Sequence, residues 1–300
     1  MTDIVVLGNR NAGRGRANKA LPELLDALRR AGHGLRVIDE PDAARAWRAL
    51  QTMTDAQAII ACGGDGTVHV ALQFALQHRL PMGIVPAGSG DDIARAIGLP
   101  HGRRQRDVRR AIRHCVDALG THRPVDVVWA TTADNRREAF LGVLAAGFDS
   151  RVNERANRIT FPRGTARYIW AMLRELRNFT PIDYHVDLGE TSLAMRGMLV
   201  AVGNGSTYGG GMRVCPGADV RDGMAEVLIV GALPRLKFLA LFPKVFSGAH
   251  VHHPVTHVVS APSLVLTAPG QTAWADGEYL GPTPVQLSVE PLAVEIIGAP

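Results

Sequence analysis

Residues Ala58-Ile59-Ile60-Ala61-Cys62-Gly63-Gly64-Asp65-Gly66-Thr67 run from an apolar stretch into a glycine turn, and Val68 to His78 continues with helical character. Strand, glycine turn and helix together make an anion site. Glycines admit the backbone to an anion with no Cβ in the way, and the helix start offers unpaired N–H groups and a positive dipole end. Phosphate can then be held without lysine. That matters in a chain with only three lysines (Lys19, Lys237, Lys244) and no GxxxxGK[ST] stretch, so a Walker-type loop is excluded. Asp65 is the odd member of the turn. A carboxylate beside phosphate is repelled unless a divalent cation or an ordered water lies between, which points to a metal–nucleotide complex. The plainer reading of the same residues is a tight turn with a helix-capping Asp.

Around this stretch the first 120 residues alternate β and α. Ile4 to Leu7, Leu35 to Ile38, Ala58 to Cys62 and Met82 to Val85 read as strands. Leu21, Leu24, Leu25 and Leu28 mark a first helix, Ala43 to Leu50 a second, Val68 to His78 a third, and another starts at Asp91. Such repetition predicts an α/β fold with a doubly wound, mostly parallel sheet, whose ligands sit at the carboxyl ends of the strands. Three glycine-rich loops meet that description: 9–15, 63–67 and 86–92.

After Arg123-Pro124 the texture changes to strand-like segments with alternation or β-branched runs: 125–131, 140–145, 182–188, 198–202, 225–230, 255–259, 264–266 and 285–289. Helical segments interrupt them at 166–178 and 236–247. The expected organisation is residues 1–124 as an α/β domain and 125–290 as a second domain of antiparallel β structure. Residues 291–300 would return to complete the first. Asp276-Gly277-Glu278 follows one strand-like run. Two carboxylates flanking a glycine can serve a substrate hydroxyl in phosphoryl transfer, while Asp-Gly is also the strongest short hairpin signal. Asp219, Asp222 and Gly223 read either as a turn or as oxygen ligands for a hard cation. Tyr208-Gly209-Gly210-Gly211-Met212 reads as a long turn or as the border of a substrate entrance.

Composition narrows the class. At 300 residues, 46% hydrophobic and 20% charged, the chain is ordinary globular protein with two domains as the prior. No apolar stretch reaches the roughly 20 residues of a membrane-spanning helix. Met1-Thr2-Asp3 leads straight into a strand with no signal-peptide pattern, so a cytoplasmic location is expected. Cys62, Cys115 and Cys215 are too far apart for a metal cluster and suit buried thiols. Net charge is +5, and Arg103, Arg104, Arg106, Arg109, Arg110 and Arg113 crowd a segment whose Val108, Ile112, Cys115 and Leu119 recur at helical spacing. The basic side is either a solvated helix face or a peripheral contact with anionic membrane lipid. With no nucleic-acid motif and no aromatic interleaving, nucleic acid is not an expected partner.

Taken in order, 9–13, 63–67, 86–95, Gly147-Phe148-Asp149, Gly209-Gly210-Gly211-Met212, 216–223 and Asp276-Gly277-Glu278 resemble the diacylglycerol kinase catalytic family, in its bacterial soluble-enzyme layout, over nearly the whole chain. The resemblance implies a nucleotide domain like that of NAD kinases, then a β-sandwich lipid domain. It implies ATP and Mg2+ as cofactors and a lipid substrate met at the membrane surface. ATP phosphates would lie on Asn9, Arg10, Asn11, Ala12 and Gly13, on Gly63, Gly64, Asp65, Gly66 and Thr67, and near Gly88 and Ser89. Glu278 would accept the lipid hydroxyl's proton, with Asp276 beside it. Asp219, Asp222 and the Met224 backbone would hold a structural magnesium. Asp65, Asp92 and Asp126 would organise the catalytic one through water.

The chain departs from the family at several positions. Arg10 stands where the family has Pro, His69-Val70 where it has Asn-Glu, Ser89 for Thr and Asp91 for Asn; Asp39 or Glu40 replaces a threonine near the second strand end. Asp91 swaps an amide donor for an acceptor-only charge, which would weaken nucleotide binding or recruit another magnesium. His69 reads as a cationic phosphate contact or as a packing residue on a helix face. The rival readings are a NAD kinase, against which the later acidic motifs count, and a non-catalytic lipid or nucleotide sensor, against which Asp65, Asp276 and Glu278 count. The acceptor lipid cannot be read from an apolar lining. A homodimer through the β-rich domain is left open.

Overall fold

The parallel layer follows from strands that are apolar throughout. In the computed structural model, which describes residues 3–53, 55–159 and 165–300, the first half runs β1 (Asp3–Gly8), α1 (Arg16–Arg30), β2 (Gly34–Asp39), α2 (Ala43–Leu50), β3 (Ala58–Gly63), α3 (Asp65–His78), β4 (Met82–Pro86), α4 (Asp92–Ile97) and α5 (Gln105–Asp117). Met1 and Thr2 lie outside the described residues. β1 pairs in parallel with β2 and β3, and β3 with β4. β3 and β4 are buried along their whole length and β1 along nearly all of it, as strands covered on both faces must be. β2, at the edge, is only partly buried. Leu21, Leu24 and Leu28 of α1 are fully buried, each stabilising the layer by about 2 kcal/mol. Val108, Ile112 and Cys115 of α5 are buried too, while Arg103, Arg104, Arg106, Arg109, Arg110 and Arg113 are exposed. Arg109 forks onto Glu23 of α1.

The second half comprises β5 (His122–Thr132), β6 (Arg137–Phe140), β7 (Val143–Gly147), α6 (Phe148–Arg158), α7 (Thr165–Asn178), β8 (Ile182–Asp187), β9 (Ser192–Gly203), β10 (Ala225–Gly231), α8 (Arg235–Val245), β11 (Thr256–Ala261), β12 (Ser263–Thr267), β13 (Thr272–Ala275), β14 (Glu278–Pro282) and β15 (Val285–Ile297). It is an antiparallel β-sandwich, with Phe179 and Phe238 meeting Phe148 edge-on at ring distances of 5.2 and 5.0 Å. Hydrogen bonding is continuous from one half to the other. β15 pairs antiparallel with β12 and β5, and its Ile296 pairs in parallel with Met82 of β4.

Three expectations need correction. The segment 140–145 is not one strand: β6 ends at Phe140, and the Leu141 and Gly142 N–H groups donate to Asp276 instead of continuing a ladder. The strand 285–289 runs on to Ile297 through an irregularity between Glu290 and Val294, where Pro291 interrupts the pattern that the sequence displays. Helix α6 was not expected at all, because its sequence FDSRVNERANR is mostly polar and gives a weak apolar stripe.

Candidate functional site

The three glycine loops converge at the carboxyl ends of β1, β3 and β4, and they touch through backbone. A Cβ on Gly88 would stand 2.3 Å from the Gly64 Cα, and one on Gly13, whose φ is +60°, would stand 1.9 Å from the Ala87 carbonyl oxygen. Only glycine allows that approach. The Ala87 N–H donates to the Gly63 carbonyl at 2.7 Å, tying loop to loop. Helix α3 begins at Asp65, earlier than its apolar pattern suggests, so Gly66 sits in its first turn, where N–H groups lack intrahelical partners, while the Thr67 N–H donates to the Gly64 carbonyl at 2.9 Å. In the first loop the Asn9 side chain accepts from the Asn11 N–H at 3.0 Å, and the Asn9 carbonyl from the Ala12 N–H. Asn9, Ala12, Gly64, Gly66 and Thr67 line a polar cleft of about 320 Å³, with Glu278 on one side and Glu40 and Asp42 on another.

Beside the cleft stand the acids. Asp276 and Gly277 form the turn between β13 and β14 with φ of 53° and 86°, the twist of a two-residue hairpin, so the hairpin and the acidic motif are one feature. Their side chains differ. Asp276 is 1% exposed, and its oxygens accept from the Gly142 N–H at 2.9 Å and the Leu141 N–H at 3.2 Å. Glu278 is exposed, and among the described residues no hydrogen bond or ion pair engages its carboxylate. One of its oxygens stands 2.6 Å from where a Gly66 Cβ would be, against the first turn of α3. That separates the two acids: Asp276 is fixed by backbone N–H groups, and Glu278 is an exposed carboxylate against the first turn of α3.

Asp65 accepts from the Ile93 N–H at 3.1 Å. Asp92 accepts from the Gly210 and Gly211 N–H groups at 2.6 and 2.8 Å and pairs with Arg95 at 2.6 Å. Asp65 Oδ2 and Asp92 Oδ2 both come within 2.8 Å of the point a Gly90 Cβ would occupy. Burial, then repulsion from Asp92, pushes the Asp65 carboxyl up to about 7. The two carboxylates face one another across that point beside Gly90, with Asp92 already engaged by two N–H groups and Arg95. Asp91 is not available to a ligand as the departure from Asn suggested. Its Oδ1 accepts from the Gly88 N–H at 2.7 Å, and Arg16 lies 3.7 Å from Oδ2. It is a clip inside the third loop, and burial raises it to about 6 despite Arg16.

Other expected site residues lie apart from the cleft lining. Arg10 is half exposed and paired through its guanidinium and its backbone N–H with Asp39, so two departures from the family pattern answer one another. Ser89 is exposed at its loop tip. Asp219 and Asp222 are exposed, each accepting from an N–H two residues on, Arg221 and Met224. Asp126 is fully buried, and its two oxygens accept from the Gly223 and Leu292 N–H groups at 2.7 and 2.8 Å. It therefore holds the loop that carries Asp219 and Asp222, rather than presenting a free carboxylate to a catalytic metal.

His69 is buried on α3, as the packing reading expects, but its neighbours are polar: Nε2 lies 3.2 Å from Glu138 Oε2, and Nδ1 lies 3.5 Å from Asp276 Oδ2. Sequence reasoning also missed Glu138 and the pair of Asp149 and Tyr208, whose hydroxyl donates to the buried Asp149 carboxylate. Tyr208 and Met212 close the glycine loop with two mutual backbone bonds at 3.0 Å and line, with Phe238, Leu241 and Phe242, an apolar crevice under α8. Its free volume is about 30 Å³. The same loop binds Asp92 through Gly210 and Gly211, so the crevice adjoins the acid cluster.

Residues 3–130 match the family model described as "Diacylglycerol kinase catalytic domain", and residues 142–298 the one described as "YegS C-terminal NAD kinase beta sandwich-like domain". A "Diacylglycerol kinase" of Mycobacterium tuberculosis is 34% identical over 98% of this chain and 94% of its own. A "Probable lipid kinase YegS-like" of Pectobacterium atrosepticum is 28% identical over 97% and 94%. The fold is that of a solved structure described as a diacylglycerol kinase from Bacillus anthracis, with a TM-score of 0.72 at 19% identity over 99% of this chain and 96% of that one.

Proposed function

The chain belongs to the diacylglycerol kinase family of lipid kinases, and from that premise we propose that it transfers the γ-phosphoryl group of ATP to the hydroxyl of a diacylglycerol-like lipid. The observation that carries the reading is Glu278. It is an acid with no partner among the described residues, set against the first turn of α3 on the wall of a polar cleft that the glycine loops line together with Glu40 and Asp42. A general base has to reach the hydroxyl it deprotonates, and the acceptor oxygen has to meet the phosphoryl group in line. Glu278 is the residue we assign to that base, from its exposed place beside the first turn of α3.

The α3 first turn and the Asn9 to Gly13 loop would receive the nucleotide phosphates, with backbone N–H groups stabilising the negative charge. Asp65 and Asp92 would hold a magnesium ion, which when bound neutralises phosphate charge; Asp219, Asp222 and Met224 would hold a second, structural one. Asp91 and Arg16 keep the third loop against the first. The crevice beside the Tyr208 to Met212 loop is apolar but holds about 30 Å³ of free volume, so a greasy acceptor would enter it only by displacing its lining. The exposed arginines of α5 offer a surface to anionic lipid.

The test is transfer from labelled ATP, with magnesium, to detergent-dispersed diacylglycerol, ceramide and phosphatidylglycerol, with NAD as a parallel acceptor. Label in a lipid is the expected result. Label in NADP would move the chain to NAD kinase chemistry, and ATP binding without transfer to any acceptor would favour a sensor.

A further inference from the structure

Helix α3 carries the phosphate turn at its start, and the β13–β14 hairpin carries Glu278; the two elements meet at His69. The side chain is 6% exposed and lies between two carboxylates, Asp276 of the hairpin and Glu138 of β6. Arg136 closes the chain of charges outward, 2.6 Å from Glu138. Gln73, one turn further along α3, donates to the Ala139 carbonyl at 2.7 Å and accepts from the Ala139 N–H at 3.1 Å. The same strand end supplies the Leu141 and Gly142 N–H groups to Asp276. Phosphate turn, β6 end and hairpin are thus linked through side chains of α3.

We propose that His69 is a positioning residue, an imidazolium strap that ties the hairpin to α3 and so sets the place of Glu278 over the phosphate turn. The inference rests on Glu278 as the base of the proposed transfer. Its chemistry follows from the two partners. A neutral imidazole has one N–H, and its other nitrogen is an acceptor, which would face a carboxylate oxygen lone pair to lone pair. Nε2 is hydrogen-bonded to Glu138, and the buried Nδ1, with no hydrogen-bond partner of its own, faces Asp276 at 3.5 Å, so only the doubly protonated ring presents an N–H to each acid. Burial opposes that charge, but Asp276 and Glu138 outweigh it and hold the group up at about 9. The charged groups around the ring are Asp276 from the hairpin, Glu138 from β6 with Arg136 behind it, and Asp65 four residues earlier on α3 itself. A strap of this kind fixes geometry without touching substrate.

The experiment joins a readout that needs no substrate to one that does. Imidazole proton resonances of the full chain, assigned with His69→Gln, are followed against pH in the wild type and in Asp276→Asn. His69 should titrate near pH 9 in the wild type and at least about one pH unit lower in the variant, the displacement expected when a paired carboxylate is removed. In parallel, His69→Gln should lower kcat about tenfold or more while KM for ATP stays within about twofold, the pattern of a lost transition-state interaction. The milder Glu138→Gln, which leaves the Asp276 contact in place, should lower the His69 titration with a smaller loss of kcat. A His69 midpoint near the ordinary value of about 6.5, or one indifferent to Asp276→Asn, overturns the strap. So does wild-type kcat in a folded His69→Gln. A wild-type protein that transfers phosphate to no lipid would instead refute the kinase reading, and the titration would still decide whether the strap exists.

Discussion

In the phosphate cradle the atoms that matter are backbone: Gly64 against Gly88, Gly13 under the Ala87 carbonyl, and the first turn of α3. In the neighbouring acid cluster they are side chains, with Asp92 and Asp276 held by N–H groups borrowed from Gly210, Gly211, Leu141 and Gly142. The first kind of site is written in glycine and tolerates no added atom, and the acids set in its loops, Asp65 and Asp91, are held by the Ile93 and Gly88 N–H groups. The second keeps its shape through substitutions of similar size, but its charge state depends on pH and on what binds between the acids. Sterics should therefore govern failures in the cradle, and protons and cations those in the cluster.

The largest effect should come from adding one atom to the cradle. Gly88→Ala places a methyl 2.3 Å from the Gly64 Cα, and neither backbone can yield without moving a loop. ATP affinity measured by calorimetry should fall at least about 100-fold, with the circular dichroism spectrum retained. Unchanged affinity would mean that the two loops do not form the nucleotide site.

In the cluster the sharper probe is pH. The Asp65 carboxyl is raised to about 7, whereas in the unfolded chain it ionises near its ordinary value of about 3.9. Between those values the folded protein keeps a proton that the unfolded chain has released, so the stabilisation present at low pH is lost as pH rises through 7. Without magnesium, Asp65→Asn should therefore melt higher than the wild type at pH 8, by roughly 5 °C, with the gap closing toward pH 4. Added magnesium should raise the wild-type Tm at pH 8 more than that of the variant. A pH-independent gap in scanning calorimetry would remove the charge argument.

The smallest effect is expected at Arg10. Its pair with Asp39 is solvated, and such pairs contribute up to about 1 kcal/mol, so Arg10→Ala should shift KM for ATP by less than about threefold. A larger loss would restore Arg10 to the phosphate contacts from which its pairing now removes it.

What was legible in the sequence was local. The Gly63 to Thr67 turn, the β/α alternation and the Asp276-Gly277 hairpin each state their geometry within a few residues. The illegible parts depend on partners far along the chain. Arg10 meets Asp39 across 29 positions, His69 meets Glu138 across 69, and Asp276 meets Leu141 across 135. No spacing rule links such residues, so His69 read as a phosphate contact or a packing residue, and Asp276 as a second base. The break at Leu141-Gly142 had only Gly142 as a local signal; the acid that takes its N–H groups comes from a distant hairpin. The departures from the family pattern at Arg10, His69 and Asp91 each have a partner in the fold: Asp39, Glu138 and the Gly88 N–H.

The central claim is that Glu278 takes the proton from a lipid hydroxyl while Asp276 only braces the hairpin. It is tested most directly by phosphate transfer from labelled ATP to diacylglycerol by the wild type and Glu278→Gln side by side, with ATP binding measured on both. The account predicts a kcat lower by about 10²–10⁴-fold in the variant at unchanged ATP affinity. Wild-type turnover by Glu278→Gln would contradict it.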